Sequence, residues 1–66
     1  ISIELNNSGN LDELNELLKK NGETKVNVIL RDKNKNYFFE LEKTRKFDFN
    51  LFSLIKSKEY VKKISF

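Results

Sequence analysis

The chain contains no cysteine, histidine, proline, methionine or tryptophan, and only two glycines. Each gap closes off a class of function. Without Cys there is no disulfide staple, and without Cys or His there is neither a thiolate nor an imidazole metal site. Cysteine nucleophiles and histidine acid–base chemistry go with them. Carboxylates, Lys and Tyr remain but are scattered among many like residues, so no catalytic residue, cofactor or metal is expected in this segment. No apolar run approaches the roughly 20 residues of a membrane span, and no secretory leader pattern opens the chain. With Ile1 first and no Met anywhere, the expectation is a fragment of a longer protein.

Arginine is scarce as well. Thirteen basic residues against ten acidic ones give +3, but the basic set includes only Arg31 and Arg45. Arg is the better fork for phosphates and bases, so its scarcity weakens a nucleic-acid reading. Abundant Lys, Asn, Ile and Phe fit an AT-rich genome, which raises the isoelectric point without implying a binding patch.

What is present suits one small domain spanning 1–66. A chain of this size buries only about 60% of its unfolded surface, so nearly every large apolar side chain is needed for the core. "ISIEL" alternates, with Ile1, Ile3 and Leu5 on one face and Ser2 and Glu4 on the other, as a half-buried strand does. After the loop "NNSGN", Asn10 reads as a helix N-cap with Glu13 in capping-box position. Leu11, Leu14 and Leu18 share a helical stripe with Leu17 beside them. Lys19 and Lys20 fall in the last turn, and Gly22 supplies a left-handed C-cap.

"KVNVILR" is the second strand, with Val26, Val28 and Leu30 inward. "YFFELE" is the third, beyond the turn cluster "DKNKN". After the charged connector "EKTRK", Asp48 caps a second helix and Phe47 can staple onto Phe52. Leu51, Phe52 and Ile55, with Leu54 alongside, form its apolar stripe. "YVKKISF" closes as a fourth strand with Ile64 and Phe66 inward. The expected fold class is α+β: a βαββαβ ferredoxin-like two-layer sandwich, its four-stranded sheet mostly antiparallel with two helices on one face.

The third strand decides between two functions. RNA-recognition motifs have this element order and carry aromatics on that strand in the pattern K/R-G-F/Y-G/A-F-V-x-F/Y. Lys35, Tyr37 and Phe39 match, whereas Asn36, Phe38, Glu40 and Glu42 do not. In that motif Phe38, Glu40 and Glu42 would face the core, and burying unpaired carboxylates costs several kcal/mol. The strand is therefore expected to face the other way, with Tyr37, Phe39 and Leu41 in the core. The predicted hairpin register sets Leu30 opposite Tyr37, Val28 opposite Phe39, Val26 opposite Leu41, Ile29 opposite Phe38 and Asn27 opposite Glu40, around a loop of Asp32 to Lys35. An open face carrying Glu4, Glu40 and Glu42 would repel phosphates. Ile29 and Phe38 form an apolar spot on that face. They are the candidate partner-binding residues, set against the plainer reading of an ordinary cross-strand pair.

The stretches "LDELNELLKKNGETKVNVIL", "YFFELE" and "KFDFNLFSLI" together resemble the C-terminal region of the bacterial replicative DNA polymerase III alpha subunit. The resemblance spans nearly the whole chain. It rests on hydrophobic spacing: Leu11, Leu14, Leu17 and Leu18, then Gly22, Thr24, Val26, Val28 and Leu30. Lys25 stands where that family commonly has a proline, and no glycine closes the second helix near Lys58 and Glu59. The resemblance implies a cytoplasmic bacterial parent, a DNA-directed DNA polymerase (a nucleotidyltransferase) active in DNA replication. Its catalytic carboxylates would lie far upstream, beyond an OB-fold domain. This segment would be a protein–protein interaction module docking the tau subunit of the clamp loader, with no direct nucleic-acid contact and no membrane.

Overall fold

The computed structural model describes residues 1–6, 8–32 and 35–66. Its elements run β1 (Ser2–Leu5), a 3-10 turn (Ser8–Asn10), α1 (Leu11–Leu17), β2 (Asn21–Thr24), β3 (Asn27–Asp32), β4 (Lys35–Glu40), α2 (Phe49–Lys56) and β5 (Val61–Ser65).

Alternation decides which side of each strand is buried. Ile3 and Leu5 of β1 lie opposite Val28 and Leu30 of β3, and these four, with Val26, are buried together with Leu14, Leu18, Ile55 and Tyr60. Residues of both helices thus share one core with one face of the sheet, which gives the α+β two-layer class expected. Burying side chains such as Ile3, Leu14 or Ile55 contributes roughly 1.5–3 kcal/mol each before chain entropy is counted.

The sheet order is β4-β3-β1-β5. β1 runs parallel to β3 and antiparallel to β5, and β3 runs antiparallel to β4. The sheet is therefore mixed, and its order departs from the ferredoxin-like one, in which the third main strand is inserted between the first two. Here β1 pairs directly with β3, so β4, tied to β3 by a short connection, can only add on the outside. Alternation specifies the face of a strand but not its neighbour, which is why the pattern left this open.

β5 contains a further irregularity. Glu4 pairs with Lys63 but Leu5 with Val61, leaving Lys62 as an extra, bulged residue. The bulge lets Val61 and Ile64, three apart, both pack on the core. The expectation that Phe66 also points inward fails: it is 86% exposed, its ring 5.5 Å from that of Phe52.

The helices follow expectation unequally. Asp48 caps α2 by accepting the Leu51 N–H at 2.8 Å, and Phe47 meets Phe52 edge-on with centroids 6.3 Å apart, as the staple predicts. Asn10 does occupy the N-cap of α1, but its side chain makes no capping bond; Glu13 pairs instead with Lys58 at 3.1 Å. The helix ends at Leu17, so Lys19 and Lys20 lie beyond its last turn. Arg45 supplies the C-terminal partner, donating from Nη1 to the Leu18 carbonyl at 3.2 Å.

Gly22 is not a left-handed cap, since no described residue has a positive φ. It lies in β2, where a Cβ would collide with the backbone of Lys46. Around it the Gly22 N–H donates to the Thr44 carbonyl at 3.2 Å and the Lys46 N–H to that of Lys20 at 2.9 Å. The supposed connector "EKTRK" is thus tied to β2 by backbone pairing at Arg45.

Candidate functional site

The β3–β4 hairpin carries the candidate residues, and its register is the expected one: Leu30–Tyr37, Ile29–Phe38, Val28–Phe39 and Asn27–Glu40. Pairing continues outward to Arg31–Asn36 and Asp32–Lys35. The strands therefore extend into the predicted loop, of which Lys33 and Asn34 lie outside the described residues.

A backbone bond settles the ladder. The Leu41 N–H donates to the Val26 carbonyl at 3.0 Å, one step beyond Asn27–Glu40. Hydrogen-bonded and non-bonded pairs alternate in antiparallel strands, so Ile29–Phe38 is a non-bonded pair, the kind whose side chains approach more closely. The two face the side of the sheet away from the helices, as predicted. Phe38 is 64% exposed and Ile29 partly buried.

Next to them the register completes a row across the sheet: Phe38 on β4, Ile29 on β3, Glu4 on β1 and Lys63 on β5. Glu4 is only 9% exposed, held in an ion pair with Arg31. Glu40 is bound by Lys25 at 2.5 Å. The expected acidic face is thus locally neutralised, and its repulsion of phosphate is weaker than the bare sequence implies. Glu42 lies past the end of β4. The apolar pair is left as the uncharged end of the face.

Tyr37 and Phe39 do point to the helical side, opposite the buried Leu30 and Val28, but they are not core residues. They are 41% and 42% exposed, their rings stacked with centroids 6.4 Å apart. Every residue of β4 is exposed. The strand order is the cause: at the edge, β4 lies outside the cover of the helices, whereas insertion into the sheet would have buried both rings. Sequence reasoning missed this exposed aromatic edge, since "YFFELE" reads alike for a central and a peripheral strand.

Elsewhere, on the helical side, a groove of about 270 Å³ lies between Leu17 of α1 and Leu51 and Leu54 of α2, edged by Lys20 and Lys46. Tyr60 is the one described group whose ionisation is clearly displaced: burial foremost, and then the neighbouring Glu13 carboxylate, raise its pKa above the usual tyrosine value. Among the described residues no group of three or more His, Cys, Asp or Glu side chains could hold a metal ion, and no helix is long and apolar enough to cross a membrane.

No family model, curated protein or solved structure matches this chain. The functional reading therefore stands on the surface itself and on the resemblance in hydrophobic spacing.

Proposed function

We propose that this domain is a non-catalytic protein-interaction module, reading its fold as a variant of the ferredoxin-like plan with the hairpin swung to the outside. Following the resemblance, its place is at the C-terminal end of a cytoplasmic bacterial replicative DNA polymerase alpha subunit. There it docks the polymerase to the tau subunit of the clamp loader. The observation that carries the reading is the surface at Ile29 and Phe38. The Phe38 ring projects beside the half-buried Ile29 side chain on a sheet face that, among the described residues, no helix covers. Exposed aromatics of this kind are enriched as anchors in protein interfaces.

The test is Phe38→Ser, read twice. As a cross-strand pair Phe38 contributes about 0.2–1 kcal/mol to stability. As an anchor its loss weakens binding by about 2 kcal/mol or more. Titration calorimetry with purified tau and urea unfolding of the free domain separate the two. Lost stability with unchanged affinity sinks the anchor.

A second reading, binding of single-stranded nucleic acid, draws on the half-exposed Tyr37–Phe39 stack, whose rings occupy aromatic positions of the RNA-recognition pattern. Those rings face the helical side rather than the open face, and Arg is scarce. Salt-sensitive shifts of Tyr37 and Phe39 NMR signals on adding single-stranded DNA would favour this reading over the first.

A further inference from the structure

The sheet has two edges, β4 and β5, and they are treated differently. β5 is interrupted by the bulge at Lys62 and presents the exposed Lys62 and Lys63. Bulges and lysines are devices that stop an edge from pairing with another chain. β4 has no bulge: six consecutive residues pair with β3 without a break, its one lysine, Lys35, stands at the strand's first position, and Tyr37, Phe38 and Phe39 are exposed at its centre.

The ladder fixes which backbone groups are free. Leu41 bonds to Val26, so alternation assigns the inward bonds to Phe39, Tyr37 and Lys35. The N–H and C=O of Asn36, Phe38 and Glu40 are left pointing away from β3. These are three donor–acceptor sites in a row on an open edge.

We infer that β4 is a pairing edge for a second copy of the chain, joined antiparallel about a two-fold axis through Phe38 and perpendicular to the sheet. The strand is self-complementary in that register. Phe38 meets its own copy, Asn36 meets Glu40, Tyr37 meets Phe39 and Lys35 meets Leu41. The free backbone groups of Asn36, Phe38 and Glu40 then fall opposite one another in hydrogen-bonded pairs. Aromatic rings pair on both faces, and no like charges are opposed, as favourable cross-strand pairing requires. Both copies present their helices on the same side. Because the helices leave Tyr37 and Phe39 half exposed, they leave room there for the partner's rings. Such a contact is isologous and closes on itself as a dimer. The Phe38 ring takes part in both contacts, but the dimer is made by the backbone edge, so protection of the outward amides reports on it separately from what docks on the open face.

The test combines sedimentation of the 66-residue chain over a concentration series with amide hydrogen exchange by NMR. The expected result is a monomer–dimer equilibrium in which the Asn36, Phe38 and Glu40 amides gain protection as concentration rises. The Tyr37 and Phe39 amides, bonded to β3, and the Leu41 amide, bonded to Val26, stay protected throughout. Phe38→Pro removes an outward donor and abolishes the dimer. Should that variant fail to fold, Asn36→Asp serves instead. It faces Arg31 within the hairpin, which favours the monomer's fold, but in the dimer it opposes the partner's Glu40 twice and weakens association roughly tenfold. A chain that stays monomeric at every concentration overturns the inference. So does a dimer that leaves those three amides unprotected, or protection that appears only on adding a different protein.

Discussion

Replacing Gly22 with alanine tests the packing of β2 through the sign of the effect. At an unconstrained strand position with negative φ, Gly→Ala stabilises by about 0.4–1 kcal/mol, because alanine has less unfolded-state freedom to lose. Gly22 has no positive φ, so on backbone grounds alone the substitution should help. The added Cβ, however, runs into the Lys46 backbone, which is itself anchored and cannot swing aside as a side-chain tip would. Relief requires β2 to separate from residues 44–46, stretching three contacts. These are the Gly22 N–H to Thr44 at 3.2 Å, the Lys46 N–H to Lys20 at 2.9 Å and the Thr44 hydroxyl to the Gly22 carbonyl at 2.5 Å. Net values are about 0.5–1.5 kcal/mol per hydrogen bond, and water can replace part of each at this exposed site. A loss of about 2–3 kcal/mol against the entropic gain leaves a net destabilisation of roughly 1–2 kcal/mol. In urea that is a midpoint shift of about 1–2 M for an m-value near 1 kcal/mol/M. The Lys46 amide should lose exchange protection in parallel. A Gly22→Ala protein as stable as the parent, or more so, refutes the close-approach account.

Two further outcomes follow from buried polar groups. Arg31→Met should cost about 1–3 kcal/mol because it strands the Glu4 carboxylate in its buried position. Glu4→Gln, leaving Arg31 half in solvent, should cost under about 1 kcal/mol; equal losses in urea titrations contradict that asymmetry. For Tyr60, burial first and Glu13 second raise the folded pKa above the ordinary tyrosine value. The stability this group contributes is therefore complete below the unfolded pKa and lost as pH rises through the folded one. Unfolding free energies should fall above about pH 10 and fall less steeply in Tyr60→Phe. An unchanged slope in that variant would assign the loss to other groups.

What was legible in the sequence was whatever depends on local period and local partners. The facing of Ile3, Leu5, Val28 and Leu30, the hairpin register around Ile29–Phe38, and the Asp48 cap with its Phe47–Phe52 staple all belong to that class. Each is decided by residues a few positions apart or by a single short connection. The features that escaped depend on distant chain segments. Gly22 answers to Lys46, Arg45 to the end of α1, Glu4 to Arg31, and Val61 to a bulge set by its pairing with β1. The candidate pair Ile29–Phe38 was legible because a hairpin is local. The exposure of Tyr37 and Phe39 was not, because it turns on which strand sits beside β1.

Strand order converts the same aromatic side chains from core into surface. Inserted between β1 and β3, β4 would present Tyr37 and Phe39 to the helices, and its backbone would be bonded on both sides. At the edge the same six residues expose three rings and three free donor–acceptor sites while contributing no buried residue to the core. Core stability therefore rests on β1, β3 and the helices, and cannot be what maintains three consecutive aromatics in β4. An exposed aromatic edge is an aggregation hazard unless it is covered. The opposite edge carries the usual protection, so the chain is not indifferent to that hazard. The asymmetry is best accounted for if β4 is covered in use, by a strand along its edge or a partner over Ile29 and Phe38, and the exchange behaviour of three amides distinguishes the two.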